Sequence, residues 1–101
     1  MQSKCYYTEI PNDFIDNSSC LSPIACKVYL IICRKTMGFH RESEVISNGR
    51  LMKLAGIHSI HTLLKSIKEL IQHNFIEMKR EGVGQTTKTI YRVIMGQKMT
   101  Y

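Results

Sequence analysis

Three stretches of the chain carry apolar residues at helical spacing, and a fourth carries them at every second position. Behind Ser22, a good N-cap, and Pro23, suited to a first helical turn, Ile24, Val28, Ile31 and Ile32 recur with Ala25 and Tyr29 alongside. This apolar face predicts a helix to about Lys35, with Gly38 ending it. A second helix is signalled at Ser47, where Leu51, Met52, Leu54 and Ala55 recur before Gly56 stops the run. After a tight turn, His58 or Ser59 caps a third helix to about His73, built on Ile60, Leu63, Leu64, Ile67, Leu70 and Ile71. Asn74 falls where a left-handed residue is expected. The period then drops to two: Ile76 and Met78 alternate with Glu77 and Lys79, and Thr89, Tyr91 and Val93 with Lys88, Ile90 and Arg92. Gly82 and Gly84 lie between, so this segment predicts two antiparallel strands joined by a mobile loop.

Upstream, Val45–Ile46 suits a short strand, and residues 1–21 suit an arm followed by a docking segment. There Tyr7 and Ile10 are expected against the domain, Pro11 breaks any helix, and Asn12 to Asn17 form a short turn presenting Phe14 and Ile15. The order is helix, short strand, helix, tight turn, helix, strand, glycine loop, strand. That order predicts an α+β, winged helix-turn-helix fold: a three-helix core, a small β-sheet and a wing hairpin. The winged domain is expected over 22–95, with 96–101 a tail or the start of a linker.

Composition adds one strong feature. The 101 residues hold fourteen Lys and Arg against eight Asp and Glu, a net charge of +6. Residues 1–21 carry one base and three acids, so the positive excess belongs entirely to the rest of the chain. Such an excess attracts polyanions, nucleic acid first and an acidic membrane surface a distant second. The longest apolar run, Val28 to Cys33, is far too short to span a bilayer, and Met1 is followed by polar residues rather than a secretory signal. The four cysteines, Cys5, Cys20, Cys26 and Cys33, form no C-x-x-C pair, which argues against a zinc site. Cys26 and Cys33 are expected reduced on one helix face. An intracellular protein follows, with no membrane partner.

Burying Leu63, Ile67 and Leu70 leaves Ser59, His61, Thr62, Lys65 and Lys68 near the open face of the third helix. Hydroxyls and lysines there can meet base edges or phosphates, although a polar helix face is equally well explained by solvation. Ser59, His61, Thr62 and Lys65 are the candidate base readers. Arg50, Lys53, Lys68, Lys79, Arg80 and Lys88 are the candidate phosphate ligands, the last three in the wing beside Gln85, Thr86 and Thr87. Arg34 and Lys35 match the negative end of a helix dipole without any DNA. Catalysis lacks support. Gly82-Val-Gly84 has no following lysine and helix to make a phosphate loop, and His40, His58, His61 and His73 do not pair with carboxylates in metalloprotease spacing. Cys33 and His40 are not a nucleophile and base on separation alone. No catalytic residue, metal or cofactor is expected.

Tyr7-Thr-Glu-Ile-Pro-Asn-Asp-Phe-Ile-Asp16, Leu21-Ser22, Val28-Tyr-Leu-Ile-Ile-Cys-Arg-Lys-Thr-Met-Gly-Phe39 and Ile46-Ser47 resemble the N-terminal domain of the phage replication protein O family. The likeness continues through Leu51, Leu54-Ala-Gly-Ile57, Thr62, Leu70 and Phe75-Ile76, about residues 6 to 80. Its specific pieces are the Ile10-Pro-Asn12 entry and the Arg34-Lys-Thr-x-Gly38 end of the first helix. Phe39 stands where the family often has Trp, His58 where serine is usual, and Asn74 where glycine is common. The resemblance implies a replication initiator whose domain binds origin DNA as a dimer, while a separate region recruits the helicase or its loader. At 101 residues there is no room for that region, so the chain is an excised domain or a standalone relative.

Three readings follow. The first is a non-enzymatic, sequence-specific binder of double-stranded DNA in phage-type replication initiation, a homodimer in the cytoplasm of a bacterial host, contacting through Tyr29 or the 1–21 arm. A replication-machinery partner would bind through a region this chain lacks. The second is a small phage or mobile-element transcriptional regulator. The third is a protein-interaction module that grips a host factor through exposed Ile60 and Leu64.

Overall fold

The structure is a computed structural model and describes residues 7–94 (for Thr86, the backbone). Four helices, α1 (Asn12–Asn17), α2 (Pro23–Lys35), α3 (Asn48–Ala55) and α4 (Ile60–Gln72), pack with strands β1 (Ser43–Val45), β2 (Ile76–Glu81) and β3 (Lys88–Val93). The strands form one antiparallel sheet in the order β1-β3-β2. This is the winged helix-turn-helix arrangement expected from the sequence: α3, a tight turn, α4, then the β2–β3 hairpin as the wing. Residues 1–6 of the arm and the expected tail at 96–101 lie outside the described residues.

Local chemistry sets each boundary. The side chains of Ser22, Ser47 and Ser59 accept hydrogen bonds from the backbone N–H groups of Ala25, Arg50 and Thr62 at 3.2, 3.1 and 3.4 Å, so Ser59, rather than His58, caps α4. Gly56 (φ 71°) and Asn74 (φ 62°) are left-handed, as their positions predict. In each case the next residue reaches back: the Ile57 N–H donates to the Met52 carbonyl, and the Phe75 N–H to the Leu70 carbonyl, both at 2.9 Å. The same closure thus drops Ile57 and Phe75 into the core.

The end of α2 differs from expectation. Gly38 does not take the left-handed conformation. A short 3-10 turn, Met37–Phe39, continues the chain, and His40 (φ 59°) makes the left-handed turn instead. Thr36 ends the helix: its buried hydroxyl and its N–H both donate to the Ile32 carbonyl, at 2.8 and 2.9 Å. Gly38 is needed for close approach, because a Cβ there would lie 2.9 Å from Thr8 Oγ1 and 3.2 Å from Arg34 Nη1.

The core joins the four helices and the β2–β3 hairpin. Val28, Tyr29, Ile32 and Cys33 of α2 meet Leu51 of α3, Leu63, Ile67 and Leu70 of α4, and Ile76, Tyr91 and Val93 of the sheet. Phe14 of α1 belongs to it, stacked on Tyr29 at 3.9 Å with Phe75 edge-on at 5.4 Å. Residues 12–17 therefore form a helix as predicted, but they present only Ile15; Phe14 is buried. Ile10 packs against the core, whereas Tyr7 is 75% exposed rather than lying against the domain. Burial of Tyr29 also removes it as a dimer contact, since its whole ring is occupied within one chain.

Candidate nucleic-acid interface

At about 100° per residue, the buried positions of α4 fix what the helix turns outward. Leu63, Ser66, Ile67 and Leu70 face the core. Opposite them, His61, Lys65, Lys68 and Gln72, spaced four, three and four apart, make one continuous exposed stripe. Thr62 lies further round and is half-buried, on the same side of the helix as Glu69, whose carboxylate two turns on accepts from the Ser22 N–H at 3.0 Å. The structure therefore groups His61, Lys65 and Lys68 and sets Thr62 at the margin. Ser59, at the helix start, is exposed, but its hydroxyl oxygen is engaged in the cap.

Arg50 and Lys53 are exposed neighbours one turn apart on α3, on the side away from buried Leu51. Leu54 lies exposed on the same helix.

In the wing, the register separates cations that adjoin in sequence. Arg80 pairs with Thr89 on the face that buries Ile76, Tyr91 and Val93 nearer the base. Lys79 and Lys88 lie on the opposite face, with Glu77, Glu81, Ile90 and Arg92. Acids share that outer face: Lys79 is 3.4 Å from Glu81, Glu81 stands opposite Lys88, and Arg92 pairs with Glu77 across the strands. Exposed pairs of this kind contribute only about 0–1 kcal/mol each, so phosphates can compete for the lysines. At the tip, Gly82 (φ 102°) and Gly84 (φ 59°) reverse the chain through a 3-10 turn, Gly84–Thr86, held by Thr87 Oγ1 donating to the Gly84 carbonyl at 2.8 Å.

Burial perturbs ionisation in the interior and at the α1–α2 junction. Burial pushes the Cys33 thiol and the Tyr91 hydroxyl up to about 12 each, against a lowering pull from Arg80 on Tyr91. Burial also raises Tyr29, whose hydroxyl faces the Cys33 thiol and finds no well-formed hydrogen bond; the Tyr91 hydroxyl likewise lacks a partner. Cys26 is raised by burial, with Cys20 and Glu69 contributing.

One juxtaposition escaped the sequence: Cys20 Sγ lies 3.7 Å from His73 Nδ1, although the two stand 53 positions apart in the chain. Only the docking of the segment before α2 against the end of α4 brings them together. Among the described residues, no three His, Cys, Asp or Glu side chains gather as a metal-ligand set. No helix among them is long and apolar enough to cross a membrane.

Comparison with curated proteins and with solved structures returned no match. The sequence pattern of the family described as bacteriophage replication protein O does match, over residues 3–91, which takes in α1 to α4 and the sheet as far as Tyr91. The match agrees with the resemblance carried by the Ile10-Pro-Asn12 entry and the α2 end: this chain belongs to the bacteriophage replication protein O family.

Proposed function

We propose that the domain binds double-stranded DNA sequence-specifically in phage replication, as an initiator at an origin, and without catalysis. The observation that carries this reading is the exposed His61–Lys65–Lys68–Gln72 stripe on the second helix of a helix-turn-helix, in a chain tied by its family to phage replication. In this arrangement His61 and Lys65, with Ser59 and Thr62 at the margins, approach base edges. Lys68, Arg50 and Lys53 hold phosphates flanking α4, and Lys79, Arg80 and Lys88 hold them from the two faces of the wing. The proposal includes a homodimer on a symmetric or repeated site. With Tyr29 buried, its contact falls to the 1–21 segment, where Tyr7 and Ile15 are 75% and 57% exposed.

Binding to random duplex and to a selected pool, titrated against salt, tests this. Steep salt dependence with enrichment of a palindromic or repeated site supports it, and finding that site within an origin rather than a promoter supports the replication role over transcriptional control. Weak binding without enrichment overturns it. One observation favours a protein-docking reading instead: Ile60, Leu64 and Ile71 form an exposed apolar flank along α4. Replacing Ile60 and Leu64 by Gln leaves duplex affinity intact if that flank serves a protein.

A further inference from the structure

We propose that the end of α2 carries a second nucleic-acid site, one that takes an unpaired DNA strand. Three cations surround a single aromatic ring there: Arg34, Lys35 and Arg41 lie 4.5, 5.9 and 6.0 Å from the centroid of Phe39. Phe39 nevertheless remains 48% exposed, so part of its ring is open to a planar base. Arg41 is balanced by Glu44 at 2.7 Å. Arg34 and Lys35 have no carboxylate at ion-pairing distance among the described residues, which leaves both cations available to phosphates, although Glu9 and Glu42 line the adjoining cleft. A guanidinium held over a ring keeps its in-plane N–H groups for phosphate oxygens. Helix-dipole compensation accounts for the positions of Arg34 and Lys35, but not for an exposed ring between them and Arg41.

Gly38 shapes this site. Its missing side chain leaves room for Arg34, whose Nη1 would be 3.2 Å from any added Cβ. The cluster also stands apart from the wing tip. Met37 and Arg41 line a cleft with Arg92, Val93 and Ile94 at the base of the hairpin. The tip lies about five residues further along the strands, roughly 17 Å away at 3.3 Å per residue. Positive charge around an exposed ring is what unpaired strands use, phosphates on the cations and a base on the ring, whereas stacked base pairs offer no free face to Phe39.

Fluorescence anisotropy with labelled oligothymidylate and with random duplex tests the proposal on the full chain. Phe39→Leu keeps an apolar side chain without the ring, and Gly38→Ala keeps every charge while pushing Arg34 aside. Either variant is expected to weaken oligothymidylate binding about tenfold, Phe39→Leu by losing one stacked base and Gly38→Ala by displacing the Arg34 phosphate contact, and to change duplex affinity less than twofold. Lys65→Ala should do the reverse. Thermal melting identifies folded variants, and Gly38→Ala decides the matter should Phe39→Leu fail to fold. Oligothymidylate binding unchanged in the folded variant, loss of both ligands in equal measure, or no binding by the unaltered chain overturns the inference. Failure of duplex binding alone counts against the proposed function and leaves this site standing.

Discussion

Helices α2 and α4 are built alike and used differently. Each has thirteen residues, and each starts from a serine whose side chain accepts the N–H three residues on. α2 lies among α1, α3, α4 and the sheet, and buries Ala25, Val28, Tyr29, Ile32 and Cys33. α4 buries Leu63, Ser66, Ile67 and Leu70 and leaves a basic stripe outside. The same local signals thus make a scaffold of one helix and a surface of the other, depending on how many sides are covered. The difference is one of consequence: perturbing the buried face of α2 should act on stability and its pH dependence, and perturbing the outer side of α4 on binding.

The largest effect is expected at high pH, and it belongs to α2 and β3. Tyr29, Cys33 and Tyr91 are neutral when protonated, and burial raises all three in the folded chain. Above their ordinary values, starting near 9.0 for the thiol, the unfolded chain releases protons that the folded chain retains. Stability is therefore full below about pH 9 and falls as pH rises toward 12, by a total on the order of several kcal/mol, comparable to that of a small domain. Melting curves across this range check it. Tyr29→Phe, which removes an unpartnered hydroxyl, should blunt the alkaline loss while leaving neutral stability equal or higher.

Next comes a contrast within α4. Leu63→Ala should cost about 2–5 kcal/mol in denaturant unfolding, since the side chain is wholly buried. Lys65→Ala, two positions on and exposed, should change stability by less than about 0.5 kcal/mol and weaken selected-site binding by about 1–3 kcal/mol. Equal stability losses from the two would erase the distinction between inner and outer faces. Lys88→Ala in the wing should weaken binding to all duplexes alike and lower the salt slope by about one. An unchanged slope removes Lys88 from the phosphate contacts.

The smallest effects sharpen the comparison at the caps. Ser22→Ala and Ser59→Ala should each cost about 1 kcal/mol. Of the two, only Ser59→Ala should also shift DNA sequence preference, which site selection with each variant would detect.

Much of the fold was legible because local physics dictated it. The serine caps, the left-handed Gly56 and Asn74, the helical spacing of Leu63, Ile67 and Leu70, and the alternation through Tyr91 and Val93 each require only neighbouring residues. The α2 end was less legible, because Gly38 signals both a left-handed turn and a close approach, and the choice was made by Thr8 and Arg34 packing over it. The candidate interface was legible as a list of exposed polar residues, but its grouping was not. Thr62 and Lys65 are close in sequence, yet Thr62 is half-buried at the margin while Lys65 is exposed. Lys79 and Arg80 are adjacent, yet strand pairing points them to opposite faces.

By itself the sequence determined the elements, their order and the charge of the surface, since periodicity, caps and composition act over one or two turns of chain. Only the tertiary structure decided that Phe14 belongs to the core, that Tyr29 is closed to a partner, that Cys20 meets His73, and that three cations gather on Phe39. Those contacts join segments distant in the chain or depend on which way a turn carries its side chains. They form when hydrophobic burial brings the elements together, and no local pattern encodes them.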